Sequence, residues 1–343
     1  LSDTELTQLS SAYEFLRRTE HVLQMENGLQ THTVPDDPEK RALLGRRIDM
    51  AGSGEFEVDL ARHTGNVERI FSRVFGEAAR DEPVEAVQEI STAPDRTRAH
   101  VLASLDKAGI EIAGRGETST VLDRLIAVSP RFAGMIAANP QLVGELAAVT
   151  GADAEPPYAD LLMTAVTAAT GFRDRLSVLR RTWSRLLLNI VVRDVFGKAD
   201  MFEAKRLQTL LAEASIATAL EIVRAELSRK FALDIEALHL AVLGLGKLGG
   251  HGLDYDSDLD MVLIYDDKLP SPVAGLTEAE FNARVAEMLV TTLSSMTRDG
   301  SLYRVDLRLR PYGSKGLTAM PASGFIEYLL NTAAIWEMLA FVK

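Results

Sequence analysis

Gly244-Leu-Gly-Lys-Leu-Gly-Gly-His-Gly-Leu-Asp-Tyr-Asp-Ser-Asp-Leu-Asp260 takes a glycine-rich turn straight into a row of closely spaced acids. Short apolar runs of period two flank it, Leu238 to Leu245 before and Leu259 to Asp266 after, which is the pattern of strands. In Leu259 to Tyr265 both alternating sets are apolar, Leu259, Met261, Leu263 and Tyr265 on one side, Val262 and Ile264 on the other. Such a strand is covered on both faces and belongs at the centre of its sheet. A helix is predicted over Thr277 to Met296, and a third strand over Leu302 to Arg310.

Gly244, Gly246 and Gly249 match the G-x-G-x-x-G dinucleotide fingerprint, and Asp266 stands about where that motif wants its ribose-binding acid. The match is a decoy. Parallel strands need a crossover of about a dozen residues or more, usually a helix, and only His251 to Asp258 separate the turn from the next strand. A dehydrogenase reading survives only if NAD binds and ATP does not. A P-loop fails too, because Leu248 follows Lys247 where a magnesium-binding Ser or Thr is required.

A short connection between neighbouring strands sets the glycine turn beside the start of the aspartate-bearing strand. Asp258 and Asp260 are two apart and so share a strand face. On the third strand Arg304, Asp306, Arg308 and Arg310 share one face, so three carboxylates, Asp258, Asp260 and Asp306, are expected to converge. Two carboxylates about 4 Å apart repel by about 4 kcal/mol at an effective dielectric of about 20, so such a cluster calls for cations. Oxygen ligands with no His or Cys close by point to magnesium bridged to phosphate oxygens, and two ions would serve an in-line displacement at phosphorus. The reaction class is nucleotidyl transfer. Backbone N–H groups of the turn Gly246 to Gly250, Gly249 included, can approach a triphosphate because glycine has no obstructing side chain, and Lys247 adds a positive charge. Asp306 is the expected base for the incoming hydroxyl. Arg308 and Arg310 either orient the triphosphate or only pair with the aspartates.

Upstream, from Leu1 to about Leu233, periodicity is helical and breakers fall between segments. Tyr158 to Phe196 and Met201 to Phe231 read as long amphipathic helices. Domain seams are expected near 80 and 155, dividing the chain into helical segments 1–80 and 81–155 and a domain, 156–343, of leading helices and sheet. The fold class is therefore α+β, mostly α: helical domains followed by a small mixed β-sheet. The 343 residues carry 37 Lys+Arg against 49 Asp+Glu, a net charge of −12 that argues against broad affinity for nucleic acid or anionic membrane. Cysteine is absent, which removes thiol chemistry and suits a reducing cytoplasm. No apolar run approaches the roughly 20 residues of a membrane span. The start, Leu1, reads as a cut within a longer protein, and Phe325 to Lys343 as a helix still in progress. Arg17, Glu20, His21 and Gln24 form one polar helix face, expected to be structural. Tyr328 and Trp336 read as core.

Leu245-Gly-Lys-Leu-Gly-Gly, Tyr255-x-Ser-Asp-Leu-Asp and Tyr303-x-Val-Asp-x-Arg-Leu-Arg-Pro311 together resemble the bifunctional glutamine synthetase adenylyltransferase/adenylyl-removing family of the nucleotidyltransferase superfamily. The likeness continues through Gly313-x-x-Gly316-Leu317, Tyr328-x-Leu-Asn and Trp336-Glu337, and far upstream in Tyr13-x-Phe-Leu-Arg-Arg-x-Glu-His-x-Leu-Gln24 with Gln30-Thr-His32. It departs at Gly252, where the family usually has Glu, and at Asp254 and Asp256, where it has small or neutral residues. That family has two nucleotidyltransferase halves, one removing AMP from glutamine synthetase and one attaching it to a tyrosine. The resemblance implies that this chain holds the tail of the first half, the helical linker and most of the second. It further implies Asp258, Asp260 and Asp306 as metal ligands, Ser257 at the nucleotide, ATP and Mg2+ as substrate and cofactor, and a PII-type nitrogen signal protein as partner. Two other readings stand beside it: a non-catalytic nucleotide-sensing and docking scaffold, and nucleotidyl transfer to another protein, such as uridylylation of a nitrogen regulator.

Overall fold

A computed structural model describes residues 1–27, 34–48, 53–75, 94–111, 116–144, 146, 155–236 and 238–341. The chain divides into two units, Leu1–Pro140 and Gln141–Lys343. The seam expected near residue 80 lies outside the described residues, and the one near 155 borders 147–154, which also lie outside them.

The first unit is helical in all its described elements: α1 (Asp3–Asn27), α2 (Pro38–Arg47), α3 (Ser53–Phe75), α4 (Pro94–Lys107), α5 (Gly116–Val128) and α6 (Pro130–Ala138). Val22 and Leu23 of α1 bury against Leu44, Ile48 and Phe56. Side-chain caps start two of the helices. Asp37 accepts from the N–H groups of Glu39 and Lys40 ahead of α2, and Ser129 accepts from Phe132 N–H ahead of α6; each satisfies donors that the first turn leaves over. The polar face of α1 is turned inward, with His21 and Gln24 buried. Arg17 pairs with Glu20, which also accepts from Gln24, so this face forms a structural network.

The second unit begins with α7 (Tyr158–Thr167), α8 (Phe172–Val195) and α9 (Met201–Phe231). Tyr158 to Phe196 is thus two helices where the sequence reading had one. The chain breaks at Gly171, whose φ of +82° is open to glycine at little cost. Helix α9 has the expected bounds: Asp200 caps its start, accepting from Glu203 N–H at 2.8 Å, and Ala232 ends it in the left-handed region. Its buried hydroxyls, Thr209, Ser215 and Thr218, each donate to the carbonyl four residues earlier, which lets polar side chains lie inside.

The sheet is mixed and four-stranded. Strand β2 (Leu259–Tyr265) pairs antiparallel with β1 (Leu240–Gly244) along one edge; along the other it pairs parallel with β3 (Val305–Asp306) and then β4 (Ala319–Pro321). Its central place is as expected. Leu259, Met261, Leu263 and Tyr265 bury against Ile216, Ala219 and Val223 of α9 and Val285 and Leu289 of α11 (Glu278–Ser294), while Val262 packs with Leu245 and Phe325 on the other face. Each such side chain contributes about 1.5–3 kcal/mol when fully buried. Helix α11 opens on a capping box between Thr277 and Glu280.

Three elements depart from the sequence reading. Strand β3 is two residues long, because Asp306 accepts from Arg308 N–H at 2.8 Å and Leu307 O from Arg310 N–H at 3.1 Å, which turns the chain away from the ladder. Strand β4 was not expected. The stretch read as one helix from Phe325 is two, α12 (Ala322–Asn331) and α13 (Ile335–Ala340), separated where Thr332 and Ala333 both donate to Tyr328 O. Tyr328 is buried as expected, but Trp336 is 63% exposed on α13 and is no core residue.

A buried arginine fastens α8 to the segment before β3. Arg180, 0% exposed, donates from Nε to Gly300 O, from Nη1 to Leu176 O, and from Nη2 to Thr292 O, Ser295 O and Ser295 Oγ. Two of these carbonyls end α11. Nearby, Trp183 Nε1 donates to Tyr303 OH at 2.8 Å.

Candidate active site

Register brings the acids together. The antiparallel pairing of β1 with β2 sets Gly244 opposite Met261, so the turn that leaves β1 lies beside the start of β2. Leu245 N–H donates to Asp260 O at 2.8 Å. The turn itself is a single helical one, α10 (Gly246–Gly249). Gly246 has φ +54°, and a Cβ there would lie 2.6 Å from Asp260 Oδ2, so any larger residue would be strained and would displace the Asp260 carboxylate. The N–H groups of Gly249 and Gly250 donate to Leu245 O and Gly246 O at 3.0 Å, which commits them inside the turn. Close approach to the turn is therefore concentrated at its first residues and not spread over Gly246 to Gly250.

Across the parallel pair Asp260 is the direct partner of Asp306. Burial pushes the Asp260 carboxyl above the usual carboxylate range, and the neighbouring Asp306 and Asp258 carboxylates push it further. Asp306 is held below that range by Arg308, whose Nε and Nη2 both donate to its oxygens. Asp258 is paired with Arg304, at 2.5 Å from Nε, and Arg304 also donates to Asp256 O. Thus Asp258 and Asp306 each pair with an arginine while Asp260 faces its fellow acids, and the expected convergence is partial. Among the described residues no three His, Asp or Glu side chains stand in a metal-holding arrangement. The reason is electrostatic: two of the three acids have turned to guanidinium groups.

The donor set nevertheless fits a hard divalent cation. It is three aspartates with oxygen donors only, and Asp260 carries an excess of negative surroundings that a cation would relieve. The two arginines are exposed, at 58% and 82% of their side chains, so exchanging their surface pairs costs little.

The other expected nucleotide residues are placed differently. Ser257 is buried, its Oγ accepting from Asp254 N–H at 3.1 Å, so it closes the loop ahead of Asp258. Arg310 donates to Leu307 O and Gly316 O and so ties the chain after β3. Gly316 is itself obligatory there, because a Cβ would come within 2.0 Å of Pro311 O. Lys247 is ion-paired with Asp254, at 2.7 Å. Asp254 is the residue that sequence reasoning missed as part of the site. Its signal was an acid set between Leu253 and Tyr255, both of which are buried. A Cβ at Gly252 would meet nothing nearer than Gly250 O at 3.9 Å, an ordinary contact, so a side chain could be accommodated there.

Two comparisons bear on what this arrangement is. A family model described as glutamate-ammonia ligase adenylyltransferase matches residues 119–343. Another, described as GlnD PII-uridylyltransferase, matches residues 1–75.

Proposed function

The chain belongs to the glutamate-ammonia ligase adenylyltransferase family, a family of nucleotidyltransferases, and from that premise we propose that its sheet transfers AMP from ATP to a tyrosine hydroxyl of glutamine synthetase. The observation that carries the reading is the Asp260–Asp306 register beside Gly246. The tyrosine oxygen bonds to the α-phosphorus as the bond to pyrophosphate breaks, and the phenolic proton passes to Asp306. A tyrosine with its usual pKa near 10 needs such a base at pH 7. Asp258, Asp260 and Asp306 would hold magnesium, which when bound supplies positive charge to the phosphoryl oxygens. Gly246 lets the triphosphate approach the backbone, and Lys247, held by Asp254, brings positive charge to the turn.

In this reading segment 1–80 corresponds to the end of an AMP-removing half, 81–155 to a linker and 156–343 to the adenylylating domain; the match of residues 1–75 to a uridylyltransferase family is consistent with a nucleotidyltransferase-related segment at 1–80. Removal of AMP by phosphorolysis belongs to the parent protein, a PII-type protein is its regulator, and the cytoplasm its compartment. Among the described residues no helix is long and apolar enough to cross a membrane. That same match also favours a second reading, uridylyl transfer to a PII-type protein.

The test is label transfer. With α-labelled ATP and magnesium, label is expected on glutamine synthetase, and none from α-labelled UTP. Label entering a PII-type protein from UTP would install the second reading, and magnesium-dependent ATP binding without any transfer would leave a sensor. Gly246→Ala is expected to lower transfer by about 100-fold, the cost of moving a catalytic group by about 1 Å, because its Cβ displaces Asp260. Gly252→Ala, whose Cβ would make only an ordinary contact, is the control and should transfer at the wild-type rate.

A further inference from the structure

Lys205 lies on the buried side of α9, with 7% of its side chain exposed and its Nζ 2.5 Å from Asp254 Oδ1. The other oxygen of Asp254 stands 2.7 Å from Lys247 Nζ, and the Asp254 side chain is 0% exposed. Burial alone would push this carboxyl up, but Lys205 and Lys247 together hold it below the usual carboxylate range. One carboxylate between two ammonium groups leaves a single net positive charge. Lys247, on the glycine turn, is the outermost member: 24% of its side chain is exposed, although its Nζ is itself buried against Asp254.

Three consecutive residues fasten this arrangement to the leading helices. Leu253 N–H donates to Thr209 Oγ1 of α9 at 3.1 Å, Asp254 pairs with Lys205, and Tyr255 OH donates to Asp194 Oδ2 of α8 at 2.9 Å. The segment that ends at Asp258 therefore takes its position from α8 and α9. Without Lys205, Asp254 and Lys247 become a neutral pair, and in a low-dielectric setting a buried carboxylate holds its one cation hard.

We propose that Lys205 and Asp254 are positioning residues for Lys247: Asp254 holds its ammonium group at the turn, and Lys205 offsets the charge of Asp254 so that the triphosphate meets a net positive charge there. The proposal rests on the ATP-dependent reading given above. It gives a buried lysine, out of reach of the nucleotide, control over ATP affinity.

Steady-state transfer with ATP titrated on the full chain, beside calorimetric ATP binding and thermal unfolding, tests it. Lys205→Met is expected to raise KM for ATP about tenfold with kcat within about threefold, the signature of weakened ground-state binding. Lys205→Met/Asp254→Asn, which removes both buried charges but keeps an amide oxygen to hold Lys247, should bring KM back to within about twofold of wild type. Adding Lys247→Met to that double variant should raise KM about tenfold again. A merely structural role would alter the unfolding temperature and leave the ratio of KM to kcat unmoved. An unchanged KM in folded Lys205→Met overturns the proposal, as does a KM that stays raised in the double variant. Should Lys205→Met not fold, the double variant and its Lys247→Met derivative decide alone, and an equal KM in the two overturns it. If wild type transfers nothing while ATP binding follows this order, the functional reading fails and the charge arrangement stands.

Discussion

Asp260→Asn is expected to reduce the proposed AMP transfer at least about 1,000-fold while the chain stays folded and becomes slightly more stable, the loss being of the size seen when a group stabilising transition-state charge is removed. The two effects have one origin. Asp260 is half-buried beside Asp306 and Asp258, and its carboxyl is raised by burial first and by those two acids next. A carboxyl whose folded pKa is raised binds its proton more tightly folded than unfolded, so stability falls as pH rises from the unfolded value through the folded one. Above that window the penalty is complete, and at pH 7 the neutral amide avoids it. Asp306 has the opposite sign: Arg308 lowers its pKa, and the resulting stabilisation is lost only as pH falls through that lowered value. Label transfer and unfolding scans at pH 4, 5.5 and 7 check both, with the gain of the variant over wild type growing across that series. A variant that retains transfer would remove Asp260 from the chemistry. One that is less stable than wild type at pH 7 would remove the carboxylate repulsion from the account.

Arg180→Met is expected to cost about 3–5 kcal/mol, since several buried carbonyls lose their donor at about 1–3 kcal/mol for each left unsatisfied. Five bonds go with the guanidinium, and the carbonyls of Thr292, Ser295 and Gly300 lose a buried donor. At about 2–4 °C per kcal/mol for a domain of this size the unfolding temperature should drop by about 10 °C. Arg180→Lys should recover less than half of that, since an ammonium is a point charge with three donors and cannot span the fork. A drop of less than about 2 °C for Arg180→Met would show that the pinned carbonyls find other partners. Because Gly300 precedes β3 by only a few residues, Asp306 is expected to lose its register with Asp260 in the same variant, and transfer to fall with stability.

Much of the sheet was legible because its determinants are local. Both alternating sets of Leu259 to Tyr265 are apolar, so the central place of β2 is written in its own side chains. The shortness of the link from Gly250 to Leu259 rules out a parallel crossover, and β1 is indeed antiparallel to β2. Asp200 and the fall of period after Phe231 bound α9 in the same way. The departures come where a contact elsewhere overrides the pattern. Leu302 to Arg310 alternates like a strand, yet the Asp306 carboxylate captures Arg308 and turns the chain after two paired residues. Strand β4, three residues ending in Pro321, exists only because the end of β2 offers it an edge.

The acids, the glycine turn and the family were determined by the sequence itself, because spacing along a strand and the lack of a side chain are properties of single residues and their neighbours. The tertiary structure alone decided which cation each acid meets: Arg304 at Asp258, Arg308 at Asp306, and Lys205 with Lys247 at Asp254. Pairing depends on distance in space and on burial, and Lys205 comes from a helix 49 residues before Asp254, a separation that local spacing does not encode.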